Sequence, residues 1–295
     1  MILIVGASGK LGGQVARRLL ALGIPVRALS RVPARLHELR ALGAEVMAAD
    51  LRDPATLGWA CQGVEKVLAA AHAFTGAGTN SMSRVDEAGN RALIDAAKVA
   101  GVSHFVFTSA CTGPDDPVDF FRVKYAIEQY LRASGVPFTI LRPGAFMEDH
   151  AERIGRPVVE KGWTVVFGRG QGLANYVAVR DVAEIATMVL RELPRGDIVQ
   201  VGGPENLSTM DVVRTYERVA GRTARVYHVP ERVLRVVARS VGPLLPVVRR
   251  IVTAGLFMET GGQRIDIRDT LARYPIWLTP LESFVRQRYG GAPGR

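Results

Sequence analysis

The first half of the chain alternates short apolar runs with segments of helical periodicity. Ile2–Val5 is continuously apolar and ends at Gly6, a pattern typical of a strand buried on both faces of a parallel sheet. Apolar residues recur at helical spacing over Leu11–Leu22, which predicts an amphipathic helix. The alternation continues, with strands predicted at Pro25–Leu29, Glu45–Ala48, Lys66–Ala70, His104–Thr108 and Phe138–Arg142, and helices at Pro33–Leu42, Pro54–Ala60, Met82–Ala100 and Asp119–Ser134. Repeated strand–helix units predict an α/β fold with a doubly wound parallel sheet of the Rossmann type.

The pattern changes after Pro143 and Gly144. Residues 145–178 are rich in glycine, and we predict that they are irregular apart from a strand at Thr164–Phe167. The sequence then predicts a helix from Asp181 to Arg191, a strand at Asp197–Val201, a helix that begins near Ser208, and mostly helix after Pro230. We interpret residues 1–144 as one domain and residues 145–295 as a smaller substrate-side region that is interleaved with the sheet.

A glycine-rich turn joins the first predicted strand to the first predicted helix. Gly6 permits a tight turn, Gly9 lets backbone amides approach a diphosphate, and Gly12 lets the helix pack closely on the sheet. The helix N-terminus stabilises the diphosphate through its unpaired amides and the positive end of its dipole. We therefore predict that residues 1–144 are an NAD(P)-binding Rossmann domain, with contacts from Gly6, Ser8, Gly9, Lys10, Leu11 and Gly12.

The end of the second predicted strand indicates which dinucleotide is bound. Rossmann folds that prefer NAD place a carboxylate there, on the ribose hydroxyls. This chain has Ser30 and Arg31 instead, with Arg35 one helical turn further on. A guanidinium can hold a 2′-phosphate through paired, charge-assisted hydrogen bonds, so the sequence favours NADP(H), with NAD(H) as the alternative. Asp50 and Leu51, at the end of the third strand, are placed to meet the adenine, although Asp50 could equally cap the next helix.

Composition and cysteine spacing narrow the class of protein to which the chain can belong. The chain is 48% hydrophobic and 22% charged, as in an ordinary globular protein. Cys61 and Cys111 lie far apart, without the spacing of a zinc site or a disulfide framework, and no apolar run reaches 18 residues. We therefore expect a cytoplasmic protein without a metal centre.

The net charge of +10 is concentrated in the second half of the chain. Residues 1–150 carry 16 basic and 14 acidic side chains, whereas residues 151–295 carry 22 and 14. Most of the excess lies between Arg214 and Arg250, which makes this stretch a candidate for binding an anionic membrane surface or an acidic protein. The same arginine usage is also typical of GC-rich genomes. Because the stretch lacks interleaved aromatic residues and a DNA-reading motif, we expect no specific nucleic-acid binding.

Several motifs together resemble the NmrA-like, atypical short-chain dehydrogenase/reductase family. They are the glycine turn at residues 6–12, Ala49-Asp50-Leu51-Arg52-Asp53, the run from Ala100 to Ser109, the segment from Lys124 through Pro143 to Glu148, and Tyr176-Val177-Ala178-Val179-Arg180-Asp181-Val182-Ala183. The resemblance implies an NAD(P)-binding fold over nearly the whole chain. It also implies that the nicotinamide side of the cofactor is lined by Thr108, Ser109, Lys124, Pro143, Gly144 and Phe146. Ala71 and His72, after the fourth strand, are placed near the expected ribose.

The catalytic prediction depends on a departure from the wider superfamily. Its typical members use a tyrosine four residues before a lysine as the proton donor or acceptor, but the position four before Lys124 is Phe120. Tyr125 is only one helical step from Lys124 and should face elsewhere. Lys124 remains a candidate ribose ligand and acid, and Ser109 a candidate for orienting a substrate carbonyl. Each has an alternative interpretation, as a solvated helix residue and a plain strand-ending serine respectively.

Two functions are consistent with these features. The first is an NADPH-dependent reductase of a small hydrophobic acceptor such as a quinone or a conjugated carbonyl, since a quinone needs little acid catalysis. The second is a non-catalytic, dinucleotide-bound redox sensor or accessory subunit, which the phenylalanine at position 120 and the basic second half favour.

Overall fold

Short apolar strands and amphipathic helices alternate through the computed structural model, which describes residues 1–74, 76, 78–240 and 245–290. The strands are β1 (Ile2–Val5), β2 (Val26–Ser30), β3 (Glu45–Ala48), β4 (Lys66–Ala69), β5 (His104–Thr108), β6 (Phe138–Pro143), β7 (Ala145–Phe146), β8 (Trp163–Phe167), β9 (Leu173–Val177), β10 (Asp197–Val201), β11 (Asn206–Ser208) and β12 (Arg225–Val229). The α-helices are α1 (Lys10–Ala21), α2 (His37–Ala41), α3 (Pro54–Cys61), α4 (Gly89–Val99), α5 (Asp119–Ser134), α6 (Glu152–Lys161), α7 (Val179–Arg191), α8 (Thr209–Ala220), α9 (Glu231–Ser240), α10 (Pro246–Glu259), α11 (Arg268–Arg273) and α12 (Leu281–Tyr289).

Seven strands form one sheet in the order β10-β6-β5-β4-β1-β2-β3. β1 pairs in parallel with β2 on one side and with β4 on the other, and the pairs β2–β3, β4–β5 and β5–β6 are also parallel. The chain therefore builds outward from β1 to β3 and then crosses back to β4. This reversal at the carboxyl end of β1 is where doubly wound sheets bind their ligands. The predicted fold class is confirmed.

The residues group into two compact units. The first comprises Met1–Arg142 and Val182–Val199, and the second comprises Pro143–Asp181 and Gln200–Arg295. The chain thus leaves the first unit at Arg142, one residue before the end of β6. It returns to this unit for most of α7 and the start of β10.

The first unit is organised around its central strands. All four residues of β1 are buried, as the continuous apolar run predicts. On one face of the sheet, Leu3 and Val5 join a core that includes Leu29, Leu57, Val67, Leu93, Ile94, Phe105, Phe107, Ile127, Leu131 and Ile140. Full burial of each large apolar side chain contributes about 1.5–3 kcal/mol, so this core fixes the strand ends that carry the site.

The second unit has two small sheets and most of the C-terminal helices. β9 pairs with β11 antiparallel and with β7 parallel, and β8 pairs with β12 parallel. Its core includes Met147, Val158, Val166, Val212, Val213, Tyr216, Leu281, Phe284 and Val285. The hydroxyls of Tyr216 and Tyr289 both donate to the carboxylate of Glu152, over 3.0 and 2.9 Å, and so join α8 and α12 to α6.

Two sequence predictions of secondary structure are wrong in detail. Residues 145–178, predicted to be largely irregular, contain α6 and β9. Gly155 and Pro157 within α6 conceal its helical pattern, and Gly155 is required because a Cβ there would lie 2.2 Å from the Tyr216 ring. The predicted helix Met82–Ala100 begins as a π-helical turn over Ser83–Ala88 before α4 starts at Gly89.

Within the described part of the chain, no helix has the length and apolarity needed to cross a membrane. Among the same residues, no three histidine, cysteine or acidic side chains are grouped as metal ligands would be.

Candidate functional site

The turn between β1 and α1 has a backbone that only glycine can supply. Gly6 has a φ of +89°, and a Cβ there would lie 2.9 Å from the amide nitrogen of Ala71. A Cβ on Gly12 would lie 2.4 Å from the carbonyl oxygen of Gly6, and one on Gly9 would lie 3.1 Å from it. The amide of Gly9 donates to that same carbonyl over 2.9 Å. The backbone of this corner is therefore tightly packed, and its glycines place no side chain of their own between the backbone and an approaching ligand.

The N-terminus of α1 has the electrostatics of an anion site. Its N-cap residue is Gly9, which supplies no side-chain cap, and the first turn contains no acidic residue. Ser8, Gly9 and Lys10 are exposed, whereas Leu11 is buried against the core side of the helix. Backbone amides at such a terminus attract a diphosphate, and the positive dipole end adds to the attraction. These residues can therefore hold the diphosphate of a dinucleotide.

The end of β2 presents an arginine beside the glycine corner. Ser30 is buried, and its hydroxyl bonds to the backbone of Val32. Arg31 is exposed and donates over 2.7 Å to Oδ1 of Asn80, in the 3₁₀ turn Gly78–Asn80. Arg35 is also exposed, in the 3₁₀ turn Pro33–Leu36. The two guanidinium groups are therefore available to a 2′-phosphate.

The end of β3 forms one wall of a groove. Asp50 accepts hydrogen bonds from the Arg52 guanidinium, which lower the pKa of the Asp50 carboxyl; burial opposes this, and Arg31 adds a smaller lowering effect. Asp53, not Asp50, caps α3 by accepting from the amide of Ala55. The side chain of Leu51 is 6% exposed and packs against Gly89. The groove between residues 50–54 and residues 84–92 is lined by both Asp50 and Leu51.

The loop after β4 runs close to both the glycine corner and α5. Ala71 lies against Gly6, as its distance to a Cβ on Gly6 shows. The exposed His72 and the half-buried Phe74 pack edge-on against the ring of Phe120, with ring centroids 6.0 and 5.1 Å apart. Phe120 therefore fills the expected tyrosine position with apolar packing.

Lys124 is almost completely buried, with 3% of its side chain exposed. Its Nζ donates over 3.1 Å to the carbonyl oxygen of Thr108 and lies 3.6 Å from Oδ1 of Asp86. The rings of Phe107 and Phe120 lie 4.9 and 5.5 Å from the same nitrogen. Burial lowers the pKa of Lys124, and the negative charges of Asp86 and then Glu128 oppose this effect. The interpretation of Lys124 as a solvated helix residue is wrong, because α5 packs it inward.

Ser109 directly follows β5 and is also buried. Its hydroxyl donates to Oε1 of Glu128, and Arg142 binds both oxygens of that carboxylate. The hydroxyl hydrogen of Ser109 is thus engaged within the first unit. Thr108, which precedes it, is buried and has no hydrogen-bond partner for its Oγ1.

The three remaining predicted residues belong to the second unit. Pro143 ends β6, and Gly144 donates from its amide to the carbonyl of Val201 over 3.0 Å. Phe146 pairs with Val177 between β7 and β9. The first unit thus gathers the other predicted residues, from Gly6 to Lys124, at the carboxyl ends of its parallel strands.

Sequence reasoning missed Asp86, Asn80 and Glu128. Asp86 could have been noticed, because it shares a helical face with Asn90, Leu93 and Ala97, all of which are buried. A charged residue on a buried helix face is uncommon unless it is paired. Asn80 lies in a loop without a pattern, so no sequence signal pointed to it.

The comparisons with known proteins agree with this geometry. The chain belongs to the NmrA-like family, whose family model matches residues 1–272, so the resemblance found in the motifs is confirmed. It is 34% identical over 228 residues to an NAD(P)H azoreductase of Xenophilus azovorans, covering 76% of each chain. It is 29% identical to the photosystem II assembly factor Ycf39 of Trieres chinensis, covering 82% of this chain and 76% of that protein.

A solved structure also matches nearly the whole chain. It is an NADPH-dependent quinone oxidoreductase from Escherichia coli, complexed with NADPH, with a TM-score of 0.81 and 26% identity. The match covers 97% of this chain and 99% of that one. It supports the sheet architecture described above.

Proposed function

We propose that the chain is an NADPH-dependent reductase of a small hydrophobic acceptor, such as a quinone or a conjugated carbonyl. The observation that carries the proposal is the flat, uncapped corner at Gly6, Gly9 and Gly12, where a Cβ would collide with backbone. An azoreductase and a quinone oxidoreductase among the similar proteins support the reductase class.

The cofactor of the chain is NADP(H). The exposed Arg31 and Arg35 supply positive charge at the end of β2, where an NAD-preferring fold has a carboxylate. The structural neighbour with 26% identity holds NADPH. The residues that would hold the cofactor are the amides of the corner for the diphosphate, Arg31 for the 2′-phosphate, and the groove at Asp50 and Leu51 for the adenine.

NADPH, when bound, supplies a hydride from its nicotinamide ring. The acceptor gains that hydride and one proton, which comes from Lys124 or from solvent. A quinone suits a site with Phe120 in place of tyrosine, because the negative charge formed on hydride transfer is delocalised and needs little acid catalysis. The aromatic packing of His72, Phe74 and Phe120 would help to keep water away from this side of the first unit.

Turnover tests the proposal directly. Purified protein is mixed with NADPH and a panel of quinones and enones, and the loss of NADPH absorbance is followed against a protein-free control. We expect quinone-dependent oxidation that saturates with acceptor concentration. If the protein binds NADPH tightly but oxidises it no faster than the control with any acceptor, the reductase proposal fails.

A second candidate function is a non-catalytic, dinucleotide-bound accessory protein, and α9 favours it. Val233 and Val236 on this helix are 49% and 61% exposed, beside the exposed Arg232, Arg235 and Arg239. The sequence predicts mostly helix after Pro230, and Val241 and Gly242 of that stretch lie outside the described residues. Exposed valines among arginines suit an anionic membrane surface, and a relative described as an assembly factor belongs to this class of function.

Vesicle binding separates this candidate from the first. Cosedimentation with phosphatidylglycerol vesicles, but not with phosphatidylcholine vesicles, is expected if α9 binds an anionic membrane. Changing Arg232, Arg235 and Arg239 to Glu should abolish it, whereas changing Arg214 and Arg286 to Glu should not. Absence of binding to both vesicles would overturn the membrane role and leave an acidic protein as the partner to be sought. Under either function we propose a cytoplasmic location, in keeping with Cys61 and Cys111, which form no disulfide within the described part of the chain.

A further inference from the structure

Asp86 is a fully buried carboxylate in the π-helical turn that precedes α4. Its Oδ2 accepts a hydrogen bond of 2.8 Å from the amide of Ala73, in the loop after β4. Its Oδ1 lies 3.6 Å from Nζ of Lys124 and has no hydrogen-bond partner among the described residues. One carboxylate therefore contacts two parts of the candidate site, the β4 loop and the lysine of α5.

Burial makes these contacts costly to lose. Removing one partner of a buried ion pair is strongly destabilising, because the other charge is left without compensation. Lys124 and Asp86 are both within a few per cent of complete burial, and the rings of Phe107 and Phe120 surround the ammonium. Within the described part of the chain, Asp86 is thus the nearest negative charge to the Lys124 ammonium. Without it, a charged ammonium would be unfavourable in this buried, aromatic environment.

The pair is also incompletely satisfied. At 3.6 Å the contact between Lys124 and Asp86 is an ion pair longer than an ordinary hydrogen bond. Oγ1 of Thr108, on the residue whose carbonyl accepts from Lys124, likewise has no hydrogen-bond partner. Buried polar atoms are rarely left unpaired without a functional reason. Lys124 therefore lies among acceptors that leave its ammonium only partly bound.

We propose that Asp86 is a positioning residue that acts through Lys124, keeping its ammonium charged beside Thr108 while anchoring the β4 loop at Ala73. The inference deepens the proposed function and rests on it, because it assigns the group that prepares Lys124 for the ribose and the acceptor.

The other charged groups that face Lys124 are few. Glu128, on α5 itself, acts on it at longer range and is already bound to Arg142 and Ser109. His72 packs against the ring of Phe120, with the ring centroids 6.0 Å apart. Asp86 is therefore the group whose removal should change the protonation of Lys124 most.

Lysine NMR tests the inference without any nucleotide. The chain has only five lysines, Lys10, Lys66, Lys98, Lys124 and Lys161, so protein labelled with ¹³C at the lysine Cε gives few signals, and Lys124→Met identifies the one of interest. We expect Asp86→Asn to move the midpoint of the Lys124 titration down by one pH unit or more. Asn retains an acceptor for the Ala73 amide, so only the charge is removed.

Two controls make the result specific. Asp95→Asn removes another carboxylate of the first unit, one bonded to the hydroxyl of Tyr130, and should leave the Lys124 midpoint unchanged. Asp86→Glu keeps the charge and should keep the midpoint within half a pH unit of wild type. If Asp86→Asn does not fold, the double variant Asp86→Asn/Lys124→Met should fold, because it buries no uncompensated charge; failure of the double variant to fold contradicts the proposal.

Nucleotide binding supplies the second readout. At pH 8 we expect Asp86→Asn to bind NADPH about tenfold more weakly than wild type, and to add little to the effect of Lys124→Met in the double variant. A Lys124 midpoint that is the same in wild type and Asp86→Asn overturns the inference, as does an Asp86→Asn effect on NADPH affinity that persists in full without Lys124. If wild type binds no NADPH, the proposed function fails, whereas the NMR midpoints still decide the role of Asp86.

Discussion

Ser109, at the carboxyl end of β5, donates its hydroxyl hydrogen to the buried carboxylate of Glu128 on α5. Arg142 holds the same carboxylate from β6. A hydroxyl that already donates to a carboxylate has no second hydrogen with which to orient a substrate carbonyl. The geometry therefore favours a structural role for Ser109, although the sequence made it a catalytic candidate.

The variant Ser109→Ala separates these two roles. We expect it to lower the free energy of unfolding by about 1–3 kcal/mol, as for a lost hydrogen bond to a charged group, while kcat changes by less than twofold. Chemical denaturation and quinone turnover measure the two effects. A large fall in kcat with unchanged stability would restore Ser109 as a carbonyl-orienting residue.

The glycine corner predicts a specific loss of binding. In Gly12→Ala the added Cβ would lie 2.4 Å from the carbonyl oxygen of Gly6, so backbone must move. We expect NADPH binding to weaken tenfold or more and stability to fall by roughly 1–3 kcal/mol, the usual cost of overpacking. Fluorescence titration and thermal melting provide the measurements. Gly58→Ala, in α3 with no atom within 4 Å of the new Cβ, is the matched control and should bind normally.

The arginine at the end of β2 predicts cofactor preference. Arg31→Ala should weaken NADP(H) binding by roughly 1–3 kcal/mol and leave NAD(H) binding nearly unchanged, because only the former has a 2′-phosphate. Titrations with both nucleotides test this, with the exposed Arg40→Ala in α2 as the control. Equal losses of affinity for the two nucleotides would show that Arg31 does not bind the 2′-phosphate.

The free energy of unfolding at acidic pH should depend on His104. Burial, and secondly the charge of Lys66, lower the pKa of His104 from 6.5 to about 4, and its Nε2 lies 3.0 Å from the hydroxyl of Thr139. The unfolded chain therefore binds a proton at a pH where the folded protein does not. The contribution of neutral His104 to the free energy of unfolding is therefore fully present above pH 6.5. It falls by roughly 2–3 kcal/mol in total as the pH decreases towards about 4.

The histidine variant gives the measurement. In His104→Phe, the fall in unfolding free energy between pH 6.5 and pH 4 should be smaller than in wild type by most of that amount. His37→Gln, on the exposed surface of α2, should retain the wild-type slope. An unaltered slope in His104→Phe would mean that other groups control the acid transition.

Local patterns were sufficient to predict the central strands of the first unit. The strands β1, β4 and β5 are buried throughout most of their length, so their apolar runs are continuous. The glycine corner is a local feature as well, and its spacing was readable for that reason. In contrast, α6 contains Gly155 and Pro157, and its glycine is explained only by the Tyr216 ring, which comes from a distant part of the sequence.

The environment of Lys124 could not be predicted in the same way. Its burial depends on the packing of α5 against the π-helical turn, and its partner Asp86 lies in that turn. The sequence predicted an ordinary helix there, so neither the contact nor the depressed pKa of the lysine followed from it. Contacts between side chains far apart in the sequence were the part that only the three-dimensional structure supplied.

The interleaving of the two units has a consequence for biosynthesis. Lys66, at the start of β4, binds the carbonyls of Leu190 and Glu192 at the end of α7, and Val182–Val199 completes the first unit. A ribosome that has released only Met1–Arg142 has delivered every residue of the glycine corner but not the segment that covers this ammonium. The first unit can therefore be completed only after the whole insertion Pro143–Asp181 has been synthesised.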